Sequence, residues 1–219
     1  MTQPAGDWAA RERMLRQAVA YALENVAAIT PDLLGRPTPC HGWDLRMLLW
    51  HSSESLAALR EGFTAGRISP AAGPVSEPAR PVSEAAGLAG PTPAGCGCGA
   101  ADPVTTYTVS ALRLLDCLAN PAPRNVRIGG VALPRSTLAA AGALEIAVHG
   151  WDVAQACGAG RPVPAMLAVE LLTLAPLLVP SAGRAPLFGD PVRAARNASP
   201  SERLTAFLGR VTAAPPGLG

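Results

Sequence analysis

The chain has no lysine. Its 219 residues carry 18 basic side chains, every one an arginine, against 16 acidic ones, for a formal charge of +2. A balance that even leaves no polycationic face for a nucleic-acid backbone. Aromatic residues are scarce as well, with two Tyr and three Phe, so no stacking platform for single strands is available either. Charged residues make up 16% of the chain and apolar ones 49%, which is ample material for one sizeable core. The combination of arginine-only basic residues with abundant Ala, Gly and Pro points to a GC-rich bacterial coding sequence.

Long apolar runs are missing too. The most apolar stretch, Met166 to Val179, is interrupted by Glu170 and Pro176 and is too short to span a bilayer. The first residues are polar and lack the basic, apolar and small-residue order of a secretory leader. Cysteine is present, but as five unevenly spaced residues, an odd count that argues against a disulfide framework. A soluble protein of a reducing cytoplasm is the expectation.

Helical periodicity is what the chain does have. Leu15, Val19, Ala22, Val26 and Ile29 recur at three- and four-residue steps, predicting a helix from Trp8 to Ile29 that Pro31 and Gly35 stop. Asp44 is read as the N-cap of a second helix running through Leu48, Leu49, His51 and Leu56 to about Phe63. A third helix carries Val104, Tyr107, Ala111, Leu114 and Leu118. Two short β-like runs around Gly129-Gly130 predict a tight hairpin. Ser136 is read as the cap of a fourth helix to about Cys157. A fifth covers about Ala165 to Leu178, and a short amphipathic one starts near Ser199 or Ser201. Residues 68–103, rich in Pro, Gly, Ala and Ser, read as a long loop, and 180–219 as a C-terminal appendage to one domain spanning 1–219. The predicted fold is all-α: a four-helix bundle whose crossover connection carries the hairpin, plus small C-terminal helices.

The chemistry concentrates on the fourth helix. Leu138, Gly142, Glu145, His149, Asp152 and Ala156 alternate steps of four and three, the seam spacing of a packed bundle helix. Glu145 and His149 therefore share one face, a turn apart. Leu144, Val148 and Trp151 bracket that stripe, so it reads as inward-facing, and buried charge has to be paired or bound to metal. The alternative, a solvent-facing stripe with coincidental spacing, stays open.

An open catalytic metal site keeps three protein ligands. His51 is the better third candidate, because it lies mid-helix among leucines. His41 lies in the turn before that helix, ten residues ahead of His51; were the helix to reach back to it, roughly 15 Å along the axis would separate the two, too far to share an ion. A core histidine satisfied by a hydrogen bond is the other reading of His51. Trp43 and Trp151 read chiefly as packing anchors beside the pocket. Cys40 reads as a small buried residue, and the Cys96-Gly97-Cys98 pair in the long loop is a weak metal or redox signal.

Three stretches together carry a resemblance. "RPTPCHGWDLRMLLWH", "LEIAVHGWDVAQACG" and "LFGDPV…SPSERLTAFLGR" resemble, in order and spacing, the DinB-like metal-binding bundles. Within them the likeness is to the short branch resembling the N-terminal domain of mycothiol-dependent maleylpyruvate isomerases. The resemblance implies His51, Glu145 and His149 as metal ligands, Zn²⁺ or another divalent ion as the metal, and mycothiol as a thiol bound to it. It also implies that Asp152 orients His149.

The function implied is thiol-dependent transfer or isomerisation on an electrophilic small molecule. Two rivals remain open: a bundle turned to natural-product chemistry without the thiol, and a non-catalytic binder of metal or a small ligand. No catalytic base is assigned, and a homodimer is left open. The larger C-terminal domain of full-length isomerases has no counterpart in these 219 residues.

Overall fold

The computed structural model describes residues 5–69, 102–120, 123–182, 184 and 188–210. Six α-helices and a three-stranded sheet make up its regular elements. They run α1 (Ala5–Val26), α2 (Leu45–Ala65), β1 (Arg67–Ile68), α3 (Pro103–Cys117), β2 (Asn125–Ile128), β3 (Val131–Pro134), α4 (Arg135–Ala156), α5 (Ala165–Leu178) and α6 (Pro200–Phe207). α1 packs on α4, α3 on α2, α2 on α4, and α5 on α6. The all-α bundle with a hairpin in its crossover is the architecture found.

The apolar stripe of α1 becomes core, with Leu15, Val19, Ala22 and Val26 buried. α1 ends at Val26 rather than Ile29, and a single 3₁₀ turn at Pro31–Leu33 follows. Proline fixes φ and lacks an N–H, which suits the first turn of a short helix. Asp44 caps α2 as expected, its Oδ1 accepting from Met47 N at 2.8 Å, and Gly66 closes the helix in the left-handed region at φ 68°. α6 begins with a full capping box between Ser199 and Glu202.

The fourth helix corrects one expectation. Ser136 is not its cap, because β3 runs straight into α4 and Pro134 occupies the N-cap position without a side-chain bond. Ser136 is buried one residue inside the helix. The hairpin itself forms around Gly129 and Gly130, both at positive φ. A third strand escaped the sequence reading: β1 pairs in parallel with β2, Arg67 opposite Arg127 and Ile68 opposite Ile128. Cys96, Cys98 and nearly all of the 68–103 stretch lie outside the described residues.

α2 and α4 approach closely at two glycines. A Cβ on Gly62 would meet Leu138 Cδ2 at 2.7 Å, and one on Gly142 would meet Leu59 Cδ1 at 2.8 Å. α1 and α4 meet at Gly150, where an added Cβ would lie 3.1 Å from Ala22 Cα. α4 is therefore clasped on two sides, and residues from Ser136 to Ala154 along it are largely buried. Among the described residues no helix is long and apolar enough to cross a membrane.

A candidate metal centre between two helices

Two helices bring three residues together. His51 comes from α2, and Glu145 and His149 from successive turns of α4. Their ligand atoms all lie within 4.8 Å of one another. His51 Nε2 is 3.6 Å from Glu145 Oε1, and the His51 and His149 rings stand edge to face with centroids 5.3 Å apart. The His51 and Glu145 side chains are 37% and 38% exposed, while His149 is 15% exposed. The trio thus opens toward solvent on one side and is anchored in the core on the other.

Each member is held by a neighbour. Ser55, one turn beyond His51 on α2, donates its hydroxyl to Glu145 Oε1. Trp43 packs its ring against His51 with centroids 4.8 Å apart. His149 Nδ1 faces Asp152 Oδ2 at 3.2 Å, which leaves Nε2 for the trio. Asp152 is fully buried, and Arg210 meets it at two points, Nη2 to Oδ2 at 3.1 Å and Nε to Oδ1 at 3.4 Å.

Cys40 touches all three of those last groups. Its Sγ donates to Asp152 Oδ2 at 3.1 Å, accepts from Arg210 Nη2 at 3.2 Å, and lies 3.7 Å from His149 Nδ1. The turn before α2 aims it there. Thr38 N and Thr38 Oγ1 both donate to Trp43 O at 2.9 Å, Cys40 N donates to Thr38 Oγ1 at 3.2 Å, and Gly42 supplies the positive φ of 79°. Cys40 is therefore half-buried in polar contact. The sequence expectation of a small buried residue is corrected, because the Thr38 turn points the thiol at α4. His41, two residues before Trp43, is exposed.

The electrostatics of the two histidines diverge. Burial lowers the His51 pKa and the neighbouring His149 lowers it further, against the opposite pull of Glu145. For His149, burial alone would lower it, yet the hydrogen bonds to Asp152 and Cys40 and their charges raise it to about 10. For Asp152, burial pushes the carboxyl up, but the His149 hydrogen bond and the Arg210 charge hold it below the usual range. A divalent ion taking Nε2 of His149 would have to compete with a proton there.

The donor set fits such an ion. Two imidazoles and one carboxylate are the ligands of several open zinc sites, three protein groups leaving a position free. An acceptor on the far nitrogen of a ligating histidine is the usual companion of that arrangement. Trp151, by contrast, is a core side chain at 4% exposure.

His51, Glu145, His149 and Asp152, singled out from the sequence, lie together here. Ser55 and Arg210 join them without having been singled out there. Ser55 had a signal, since it shares a helical face with His51 four residues earlier. Arg210 had none beyond ending the C-terminal stretch of the resemblance.

Fold and centre together define a helical bundle with a two-histidine, one-carboxylate site at the seam of two of its helices. The model of the family described as mycothiol maleylpyruvate isomerase N-terminal domain matches residues 15–154, and the chain belongs to that family. No curated protein and no solved structure matches it.

Proposed function

We propose that the chain is a metal-dependent, thiol-dependent transferase or isomerase acting on an electrophilic small molecule. The observation that carries this is the convergence of His51, Glu145 and His149, with ligand atoms within 4.8 Å, in a chain of this family. These three residues would hold Zn²⁺ or another divalent ion. An ion bound there lowers the pKa of a coordinated thiol and holds it as thiolate at neutral pH.

The chain's own residues do the rest by positioning. Ser55 fixes the Glu145 carboxylate, Asp152 fixes the tautomer and ring orientation of His149, and Trp43 backs His51. His51 and Glu145 are partly exposed, so a thiol and its reaction partner would approach from the open side. Mycothiol as that thiol rests on the family description. The reducing cytoplasm is the compartment that suits Cys40, Cys117 and Cys157, which are all free thiols.

Metal analysis of the purified protein beside His149→Ala tests the reading. The expected result is about one divalent ion per chain, lost in the variant. Substoichiometric metal that ignores the substitution sinks it. Titration with mycothiol comes next, and metal without thiol binding favours a thiol-free reaction in the same pocket.

A further inference from the structure

The centre has a second, overlapping set of donors. Cys40 Sγ, His149 Nδ1 and Asp152 Oδ2 also lie within 4.8 Å of one another. Their separations of 3.1, 3.2 and 3.7 Å are close to the edges of a tetrahedral zinc site, roughly 3.3–3.7 Å for bonds of about 2.0–2.3 Å. A thiolate, an imidazole and a carboxylate make an attractive donor set for a soft or borderline ion. Both sets need His149, one through each ring nitrogen, so they compete for its orientation and its charge.

Arg210 stands in the second set. Its guanidinium, 8% exposed, puts Nη2 3.1 Å from Asp152 Oδ2 and 3.2 Å from Cys40 Sγ. Those are two of the three corners an ion would use, and the arginine N–H groups already occupy their lone pairs. Arginine keeps its charge at any physiological pH, so a dication there would meet a fixed cation at contact distance. The thiol, meanwhile, donates its hydrogen bond to Asp152.

We infer that Arg210 is a built-in cation that closes the Cys40–His149–Asp152 set to metal and so directs the ion to His51, Glu145 and His149. Arg210 is a specificity-determining residue in this scheme, acting through Asp152 and Cys40. It also lies outside residues 15–154, so the selection is imposed by a segment the family match does not include. The inference rests on the metal-centre reading above.

Cobalt(II) reports directly on sulfur ligation, through a near-ultraviolet thiolate-to-metal band. The wild type titrated with Co²⁺ is expected to show visible d–d bands without it. Arg210→Gln is expected to gain the thiolate band, Arg210→Gln with Cys40→Ser to lose it again, and Arg210→Lys, which keeps the charge, to remain without it. If Arg210→Gln does not fold, Arg210→Met gives the same reading with a side chain of similar length. Independently of any arginine variant, Co²⁺ should leave the alkylation rate of Cys40 in the wild type unchanged.

A thiolate band in the wild type, metal protection of Cys40, or a folded neutral variant lacking the band overturns the inference. A wild type that takes up no Co²⁺ overturns the metal-centre reading. The directing half of the inference falls with that reading; the block by Arg210 stands on its own if the neutral variant then binds Co²⁺ through sulfur, and is overturned if neither protein binds.

Discussion

His149 Nδ1 and Asp152 Oδ2 lie 3.2 Å apart across one turn of α4. One helix therefore supplies both a ring nitrogen for the centre and the carboxylate that orients that ring. Because Asp152 is completely buried, its charge is tolerable only with the partners it has.

Asp152→Asn should expose that dependence twice. Arg210 loses its counter-charge, and an uncompensated buried cation costs about 3–5 kcal/mol. His149 loses a charged acceptor, which should weaken metal binding by roughly 10–100-fold. Denaturant unfolding and competition with a chelator read the two effects separately. A variant with parental stability would contradict the burial argument.

Ser55→Ala removes only the hydroxyl that holds Glu145. A hydrogen bond to a carboxylate on the scale of 1.5 kcal/mol translates to about tenfold in metal affinity, with the fold unchanged. Ser55→Thr should restore most of it. Equal affinities for all three proteins would show that Glu145 needs no such support.

Gly209→Ala tests how Arg210 is delivered. Gly209 sits at φ 75°, and a Cβ there would lie 2.6 Å from the carbonyl carbon of Gly189. Arg184 pins the same segment, its Nη2 donating to Phe207 O at 2.6 Å and to Gly189 O at 3.0 Å. Strain and clash together should destabilise by at least about 1–3 kcal/mol and loosen metal binding in step. Thermal unfolding that matches the parent would argue that this segment docks only loosely.

Tyr21 supplies an alkaline limit. Its hydroxyl donates to Arg161 O at 2.8 Å, and burial pushes its pKa from 10.0 up to about 12, partly offset by Asn25. The folded value exceeds the unfolded one, so the contribution is complete below pH 10 and disappears as pH rises through 12. Urea unfolding across that window should fall less steeply for Tyr21→Phe than for the parent. Parallel curves would place the alkaline loss elsewhere.

The helices were readable because their signals are local. Ala165–Leu178 emerged from apolar continuity with its bounds intact, and Asp44 from the capping preference of aspartate. Glu145, His149 and Asp152 were visible because seam spacing places them on one face without any knowledge of a partner. His51 needed only its place among leucines on a second helix. β1 was hidden by its length, since two residues show no alternation. Ser136 misled because a polar residue before an apolar run resembles a cap, whereas the hairpin strand itself supplies the start of α4. Arg210 was out of reach, as nothing local ties it to Cys40 or Asp152, far away in sequence.

The two glycine–leucine fits between α2 and α4 act as a gauge block. With Leu138 seated on Gly62 and Leu59 on Gly142, the helices carrying His51 and the Glu145–His149 pair can neither draw together nor spread without disturbing close-packed core. At the proposed centre, a cation of different radius would then find no helix free to move. The mismatch would fall on the side-chain torsions of His51 and Glu145, while Asp152 holds the His149 ring. Ion size would thus be gauged by a helix spacing that Gly62 and Gly142, neither of them a candidate ligand, hold fixed.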